Sequence, residues 1–398
     1  MKHLRYFDKY TEYLNYLDGE EIKDDVPNIC YIRQTGDIVY NAESVPYYVL
    51  AMEDTSVSFP KELEYSDDNV AWKTLPAGES VNILADTRLF FRANFQSGMG
   101  GTIGIGTFSL GQGKCAVGGN IMSLLYGSDF KGQRTQPATA SFYKLFQNAT
   151  SLVDAERLIL PSTTSRENMY GYMFSGCSEL LNAPISLPIV SISSANYCYQ
   201  YMFSGCSKLV KAPYISVSSI ASNNACGYMF KDCTSLKQVP RFSPTNVSGT
   251  NSCMSMFEGC TSLVNAPKLP AMTLGNECYG SMFKNCTSLV NAPELPATTL
   301  KTECYDSMFY GCTSLVNAPE LPAVALASRC YQYMFYNCAK LAYIRALFTT
   351  SPSTSYTSTW VYGVASTGVF VKNAAATWAD TFGTSAIPTG WTVETAEA

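Results

Sequence analysis

Apolar residues in the second half of the chain recur as one pattern. Met173-Phe174, Met202-Phe203, Met229-Phe230, Met256-Phe257, Met282-Phe283, Met308-Phe309 and Met334-Phe335 are each followed, three residues beyond the Phe, by Cys177, Cys206, Cys233, Cys260, Cys286, Cys312 and Cys338. Leu145-Phe146 is a degenerate earlier copy, and from it the steps between Phe residues are 28, 29, 27, 27, 26, 26 and 26. A repeat of this length is one supersecondary unit that buries its apolar face only by stacking on its neighbours. The pattern therefore predicts a solenoid of about eight coils over 121–346. In the clearest unit, Cys304, Met308 and Phe309 fall on one face of about two helical turns. Thr313-Ser314-Leu315 then leads into a short extended segment. Prolines at matching steps (Pro184, Pro213, Pro240, Pro267, Pro293 and Pro319) suit turns and strand edges, not a helix interior. Leu263, Leu289, Leu315 and Leu341, with Phe257, Phe283, Phe309 and Phe335, form the expected interior ladders. Each such buried side chain contributes about 1.5–3 kcal/mol.

Three other stretches keep different rhythms. Tyr6, Tyr10, Tyr13, Leu14 and Leu17 recur at helical spacing up to Asp18-Gly19. Ile29-Cys30-Tyr31-Ile32-Arg33, a turn at 34–37 and Ile38-Val39-Tyr40 read as a β-hairpin. A helix and one hairpin bury little surface, so residues 1–45 are expected to anchor the chain to a partner through Tyr6, Tyr10, Tyr13 and Tyr31. Residues 46–120 alternate apolar and polar positions and predict an antiparallel β-sandwich. Its strands are expected over 47–52, 56–59, 64–65, 70–75, 80–83, 89–93 and 104–108, with turns at 67–69 and 98–101 and Trp72 in the core. From 347 to 398 the repeat register breaks, and strands at 360–364, 368–371 and 391–393 predict a β-rich cap. The fold class is mixed α/β and β-rich: anchor, sandwich, solenoid and cap.

Composition narrows the chemistry. The chain is 46% apolar and 15% charged with a net charge of −5, and no basic patch marks it for nucleic acid. The single histidine, His3, leaves little room for histidine-based triads or zinc sites. No cofactor is implied. No apolar run approaches the ~18 residues of a membrane span, and the opening residues lack a signal-peptide core. Membrane insertion and export are therefore not expected. Thirteen of the fifteen cysteines keep the repeat register, six repeats carrying a pair such as Cys304 with Cys312. They read as a ladder of buried thiols or as disulfides within each pair; their spacing does not match a zinc site. Asp67, Asp68 and Asp86 lack calcium-loop spacing and read as turn acids.

The unit Met308-Phe309-Tyr310-Gly311-Cys312-Thr313-Ser314-Leu315, followed by Ala318-Pro319-Glu320-Leu321-Pro322, resembles the BspA-like class of leucine-rich repeats over about 140–345. The domain order, with Gly118-Gly119-Asn120-Ile121-Met122 after the sandwich, resembles proteins of Bacteroides-group gut bacteria and their tailed phages. The opening, Leu4-Arg5-Tyr6-Phe7-Asp8-Lys9-Tyr10 and Val26-Pro27-Asn28-Ile29-Cys30, is similar to N-terminal segments of virion proteins from such phages. The bacterial relatives are usually exported, and the absent leader favours the phage side of the resemblance.

These readings converge on a non-enzymatic virion protein, a head or tail decoration or fibre. It would be anchored to other virion proteins and would present the solenoid to a host-surface glycan or protein. The alternative is a bacterial cell-surface adhesin. A glycan-active enzyme is the remote one, built on Glu294 and Glu320, which sit on adjacent coils. A homo-oligomer, trimeric by analogy with fibres, is the expected assembly. Candidate binding residues are the variable slot after Met-Phe (Lys231, Glu258, Lys284, Tyr310 and Tyr336) and a tyrosine stripe containing Tyr305 and Tyr331. That stripe, with Tyr199 and Tyr279, reads either as a sugar-stacking surface or as an aromatic packing ladder.

Overall fold

Residues 42–95, 104–239 and 242–397 are described by a computed structural model. The anchor segment with Tyr6, Tyr10, Tyr13 and Tyr31, the 98–101 turn and Pro240 lie outside the described residues.

Eight strands open the described chain: β1 (Tyr48–Ala51), β2 (Thr55–Ser58), β3 (Leu63–Ser66), β4 (Lys73–Leu75), β5 (Ser80–Ile83), β6 (Arg88–Arg92), β7 (Ser109–Leu110) and β8 (Cys115–Asn120). One antiparallel sheet runs β8-β1-β6-β3-β4 and the other β5-β2-β7. Alternation places Val57 inward on β2 and Val49 inward on β1, where they join Tyr47, Phe59, Phe91 and Phe108. Phe108 is the hub, 4.5 Å from Phe59 and 5.2 Å from Tyr47. Trp72 is not in this core. It is half-exposed, with the Arg92 guanidinium 4.0 Å above its ring, because only residues 73–75 of the expected 70–75 strand pair. Asp68 closes that turn by accepting from the Val70 and Ala71 backbone and from Ser66 Oγ, bonds that lower its pKa.

The sandwich and solenoid share β8. All six of its residues are buried. It runs antiparallel to β1 and parallel to β9 (Leu152–Asp154) and β10 (Leu158–Ile159). Gly119 has φ +75°, and a Cβ there would collide with the Pro46 carbonyl, so the joint requires glycine. The expected strand at 104–108 does not form. Ile105 and Phe108 instead donate N–H bonds to Ser141 and Leu145 of the first coil. A short helix, α1 (Ser123–Tyr126), follows β8.

The Met-Phe side of each coil is not helical. It is a run of β-turns with a left-handed residue at every fourth position. In the coil of Phe283 these are Glu277, Ser281 and Asn285, with φ between 54° and 60°. Turn bonds run Met282 N–H to Tyr279 O, Lys284 N–H to Ser281 O and Cys286 N–H to Phe283 O. The alternate N–H groups point to the next coil: Ser281 to Asp306 O at 2.7 Å, Phe283 to Met308 O at 2.9 Å and Asn285 to Tyr310 O at 2.7 Å. A left-handed residue is what a type II turn requires at its third position. Two residues past each Phe that site is Asn148, Gly176, Gly205, Asp232, Gly259, Asn285, Gly311 or Asn337, residue types that tolerate it.

The other sides carry short parallel strands: β11 (Ser186–Leu187) with β13 (Tyr214–Ile215), and β12 (Ser191–Ile192), β14 (Ser219–Ile220), β15 (Asn246–Val247) and β16 (Thr273–Leu274) in sequence order. The interior is a set of columns. Phe146, Phe174, Phe203, Phe230, Phe257, Phe283, Phe309 and Phe335 stack with centroids 5.3–5.8 Å apart. Register does not break at 347. Asn337 donates to Tyr362 O as Gly311 does to Tyr336 O, and residues 360–363 form turns where a strand was expected over 360–364. β17 (Tyr343–Ala346), β18 (Val369–Lys372) and β19 (Thr392–Thr395) continue as a parallel sheet. Trp360, Trp378 and Trp391 cover the end, with Trp360 Nε1 donating to Ala386 O and Trp391 Nε1 to Ala365 O.

All fourteen described cysteines are free and buried. The one after each Met-Phe donates its thiol to the Phe carbonyl of the preceding coil, as Cys312 Sγ does to Phe283 O at 3.1 Å. That carbonyl already accepts the Cys286 N–H of its own turn, so the thiol fills its second lone pair. Burial pushes Cys177, Cys226 and Cys338 up to about 12 and Cys115 up to about 11.

Two outcomes follow. Gly311→Ala places a Cβ at φ +72° against Asn285 Oδ1 and should cost about 1–2 kcal/mol in urea denaturation; a neutral result would contradict the turn geometry. Because the folded thiols hold their protons above their ordinary 9.0, the unfolded chain loses protons first as pH rises. Stability is thus fully present below pH 9 and should fall progressively between about 9 and 12, read as melting temperature against pH.

Candidate binding face

The turn ladder buries residues in pairs. Cys330-Tyr331, Met334-Phe335 and Cys338 point inward, and Gln332-Tyr333 and Tyr336-Asn337 point outward. This rhythm decides which predicted site residues can reach a ligand. Tyr305 and Tyr331 cannot: they are 2% and 1% exposed and stack 6.0 Å apart, with Tyr199 and Tyr279 equally buried. The tyrosine stripe is packing, because it lies directly beside the inward Cys column.

The variable slot does lie on the outer side. Lys231, Glu258, Lys284, Tyr310 and Tyr336 are all half-buried there. Lys231 Nζ pairs with Glu258 Oε2 at 3.1 Å, and Lys284 Nζ stands 5.1 Å from the centre of the Tyr310 ring. Tyr310, Tyr336 and Tyr362 stack at 4.6 and 4.8 Å. A second outer stack escaped the sequence reading: Tyr172, Tyr201 and Tyr228, two residues before each Met-Phe pair ends, at 4.7 and 4.5 Å. Burial, then the neighbouring phenols, push Tyr201 up to about 12. In the same column the middle coils carry Ser255, Ser281 and Ser307, and Tyr333 resumes it.

Where the serines give way to Tyr333 the face opens into a groove of about 430 Å³. Lys284, Asp306, Ser307, Tyr310, Gln332, Tyr333 and Tyr336 line it. The Asp306 carboxylate accepts from Ser307 Oγ at 2.6 Å and from Gln332 Nε2 at 2.9 Å. Burial raises the Asp306 pKa, and the Ser307 bond opposes the shift. Asp306, Gln332 and Tyr333 were also missed; the signal available was the strict four-residue spacing of the buried pairs, which a helix does not keep. Glu294 and Glu320 are exposed, and Glu320 pairs with Arg345 at 3.1 Å. Among the described residues, no three His, Cys, Asp or Glu side chains gather as a metal set, and no helix is long and apolar enough to cross a membrane.

A family description of the BspA type leucine rich repeat region, in six copies, matches residues 144–279 and 228–358. The chain belongs to the BspA type leucine-rich-repeat family. The match spans the ladder from the first coil to the last Met-Phe unit, and it fits a repeat protein of the surface-adhesion type. No curated protein matches the chain.

The inner and outer tyrosines should separate in a melt. Tyr305→Ala opens a core cavity and should cost about 3–5 kcal/mol, as large aromatic truncations do. Tyr310→Ala should stay within about 1 kcal/mol, and equal losses from both would contradict the inward-outward assignment.

Proposed function

We propose that this BspA type protein is a non-enzymatic attachment protein that offers the outer side of its turn ladder to a glycan or protein on another surface. The observation that carries the reading is the pair of tyrosine stacks, Tyr172-Tyr201-Tyr228 and Tyr310-Tyr336-Tyr362. Their backbone is bonded coil to coil, so the aromatic edges are ordered before any ligand arrives, and little side-chain entropy remains to be lost on binding.

The family match supports a bacterial cell-surface adhesin. The resemblance of Leu4-Arg5-Tyr6-Phe7 and Val26-Pro27-Asn28 to virion segments supports the second reading, a phage head or tail decoration or fibre with residues 1–45 seated on other virion proteins. Attachment chemistry is common to both; the carrier differs. Immunogold labelling separates them: gold on bacterial envelopes beside clean particles identifies the adhesin, and gold on heads or tails identifies the virion protein. The double variant Tyr201→Ala/Tyr336→Ala should reduce adhesion to target cells at least about tenfold, a loss of about 1.4 kcal/mol, with its melting temperature unchanged. Undiminished adhesion would remove the face from consideration.

A further inference from the structure

We infer that the groove beside Tyr333 is a saccharide subsite that takes a neutral sugar ring carrying adjacent hydroxyls. This rests on the attachment reading and names the ligand class for one part of that face.

Tyr336 is stacked on both sides, by Tyr310 at 4.6 Å and Tyr362 at 4.8 Å, so neither of its faces is free. Its rings cross those of Tyr333 at 75° with centroids 6.1 Å apart. In such a contact one ring presents an edge to the other's face, and Tyr336 has only its edge to give. One face of Tyr333 is therefore occupied by Tyr336. No ring among the described residues covers the opposite face, and Tyr333 is half-exposed. Inside the two stacks, by contrast, tyrosine rings cover one another and show the solvent their edges. The electron-rich face of Tyr333 is thus a platform for the C–H side of a sugar ring.

Polar partners stand beside it. Gln332 and Asp306 occupy equivalent positions on adjacent coils and are already hydrogen-bonded at 2.9 Å. The carboxylate retains acceptor capacity, and the amide retains a carbonyl acceptor and a second N–H. Two planar groups held side by side can accept from one hydroxyl and donate to its neighbour. Charge favours a neutral ligand: the lining holds one lysine and one carboxylate, Lys284 and Asp306, which offset each other in sign, and nearby Glu303 is paired with Arg329 at 2.8 Å. Among the lining residues the one cation, Lys284, already stands over the Tyr310 ring at 5.1 Å, which holds it against the aromatic wall.

Ser307 leaves the groove open beside Tyr333. Its column holds tyrosine at 172, 201, 228 and 333, all with the same left-handed backbone, φ 50° to 59° against 54° at Ser307. A tyrosine at 307 would fill the groove without asking anything new of the chain.

The test uses the full chain against immobilised mannan, dextran and galactan, with polygalacturonate as the acidic comparator and fibrinogen as the protein comparator. Binding to at least one neutral polysaccharide is expected, lost on prior periodate oxidation of its diols. Ser307→Tyr and Tyr333→Ala should each weaken it at least about tenfold with melting shifted by no more than about 2–4 °C, while Glu62→Gln, exposed on the sandwich and away from the ladder, leaves it intact. Binding to polygalacturonate alone, binding that survives periodate, or full binding by Ser307→Tyr overturns the inference. Adhesion to fibrinogen or to cells without any polysaccharide binding also overturns it and leaves the attachment reading standing. Failure of the unaltered chain on every surface removes both.

Discussion

Every second backbone N–H on the turn side of a coil is committed to a carbonyl of the next coil, and the rest of the solenoid depends on that division. Alternate N–H groups can face two directions only if the chain reverses its local twist every fourth residue, which is what the left-handed positions accomplish. Side chains other than glycine pay about 1–2 kcal/mol for that conformation. Ser281, Glu277 and Tyr228 adopt it regardless, because each sits between a turn bond and an intercoil bond that a right-handed residue would break. Leaving such groups unpaired in a buried wall costs more.

The same ladder sets the chemistry of the interior. Carbonyls at the Phe positions receive only a turn bond from the backbone, and the cysteine of the following coil supplies the second donor. A thiol suits that place: it is small enough for close stacking, apolar enough for complete burial, and still a donor. Ionisation there is opposed by burial, so the column resists thiolate chemistry as well as solvent. At the two ends the ladder is closed differently. Phe108 carries the sandwich core into the phenylalanine column at 5.9 Å from Phe146, and at the far end tryptophans take over.

Rigidity of this kind makes the outer side a scaffold whose specificity lies in which residues fill fixed slots. One column shows the principle: Tyr172, Tyr201 and Tyr228 fill it with stacked rings, whereas Ser307 leaves a groove walled by Tyr333. Exchanging residues in such slots changes what the face can hold while the backbone bonds stay as they are, and this separates binding from folding more cleanly than a loop-built site would.

The repeat, its length and the interior Phe, Leu and Cys columns were legible from the residues alone, because periodic burial imposes periodic composition. The sandwich was legible through its alternation, although Trp72 was wrongly placed in its core: a large aromatic in a strand pattern does not reveal which of its faces is covered by an arginine. The helix expected around Met308-Phe309 failed for a physical reason. Residues four apart share a face in a helix, but so do residues four apart in a ladder of turns, and only the direction of the alternate N–H groups distinguishes them. The Tyr305 stripe and the Tyr310 stripe look alike in sequence for the same cause. The repeat determined that there would be stacked coils, sparse in charge, with tyrosines in rows. Which row faces water was decided by the hydrogen bonds between coils, since those bonds orient each backbone before any side chain finds its place.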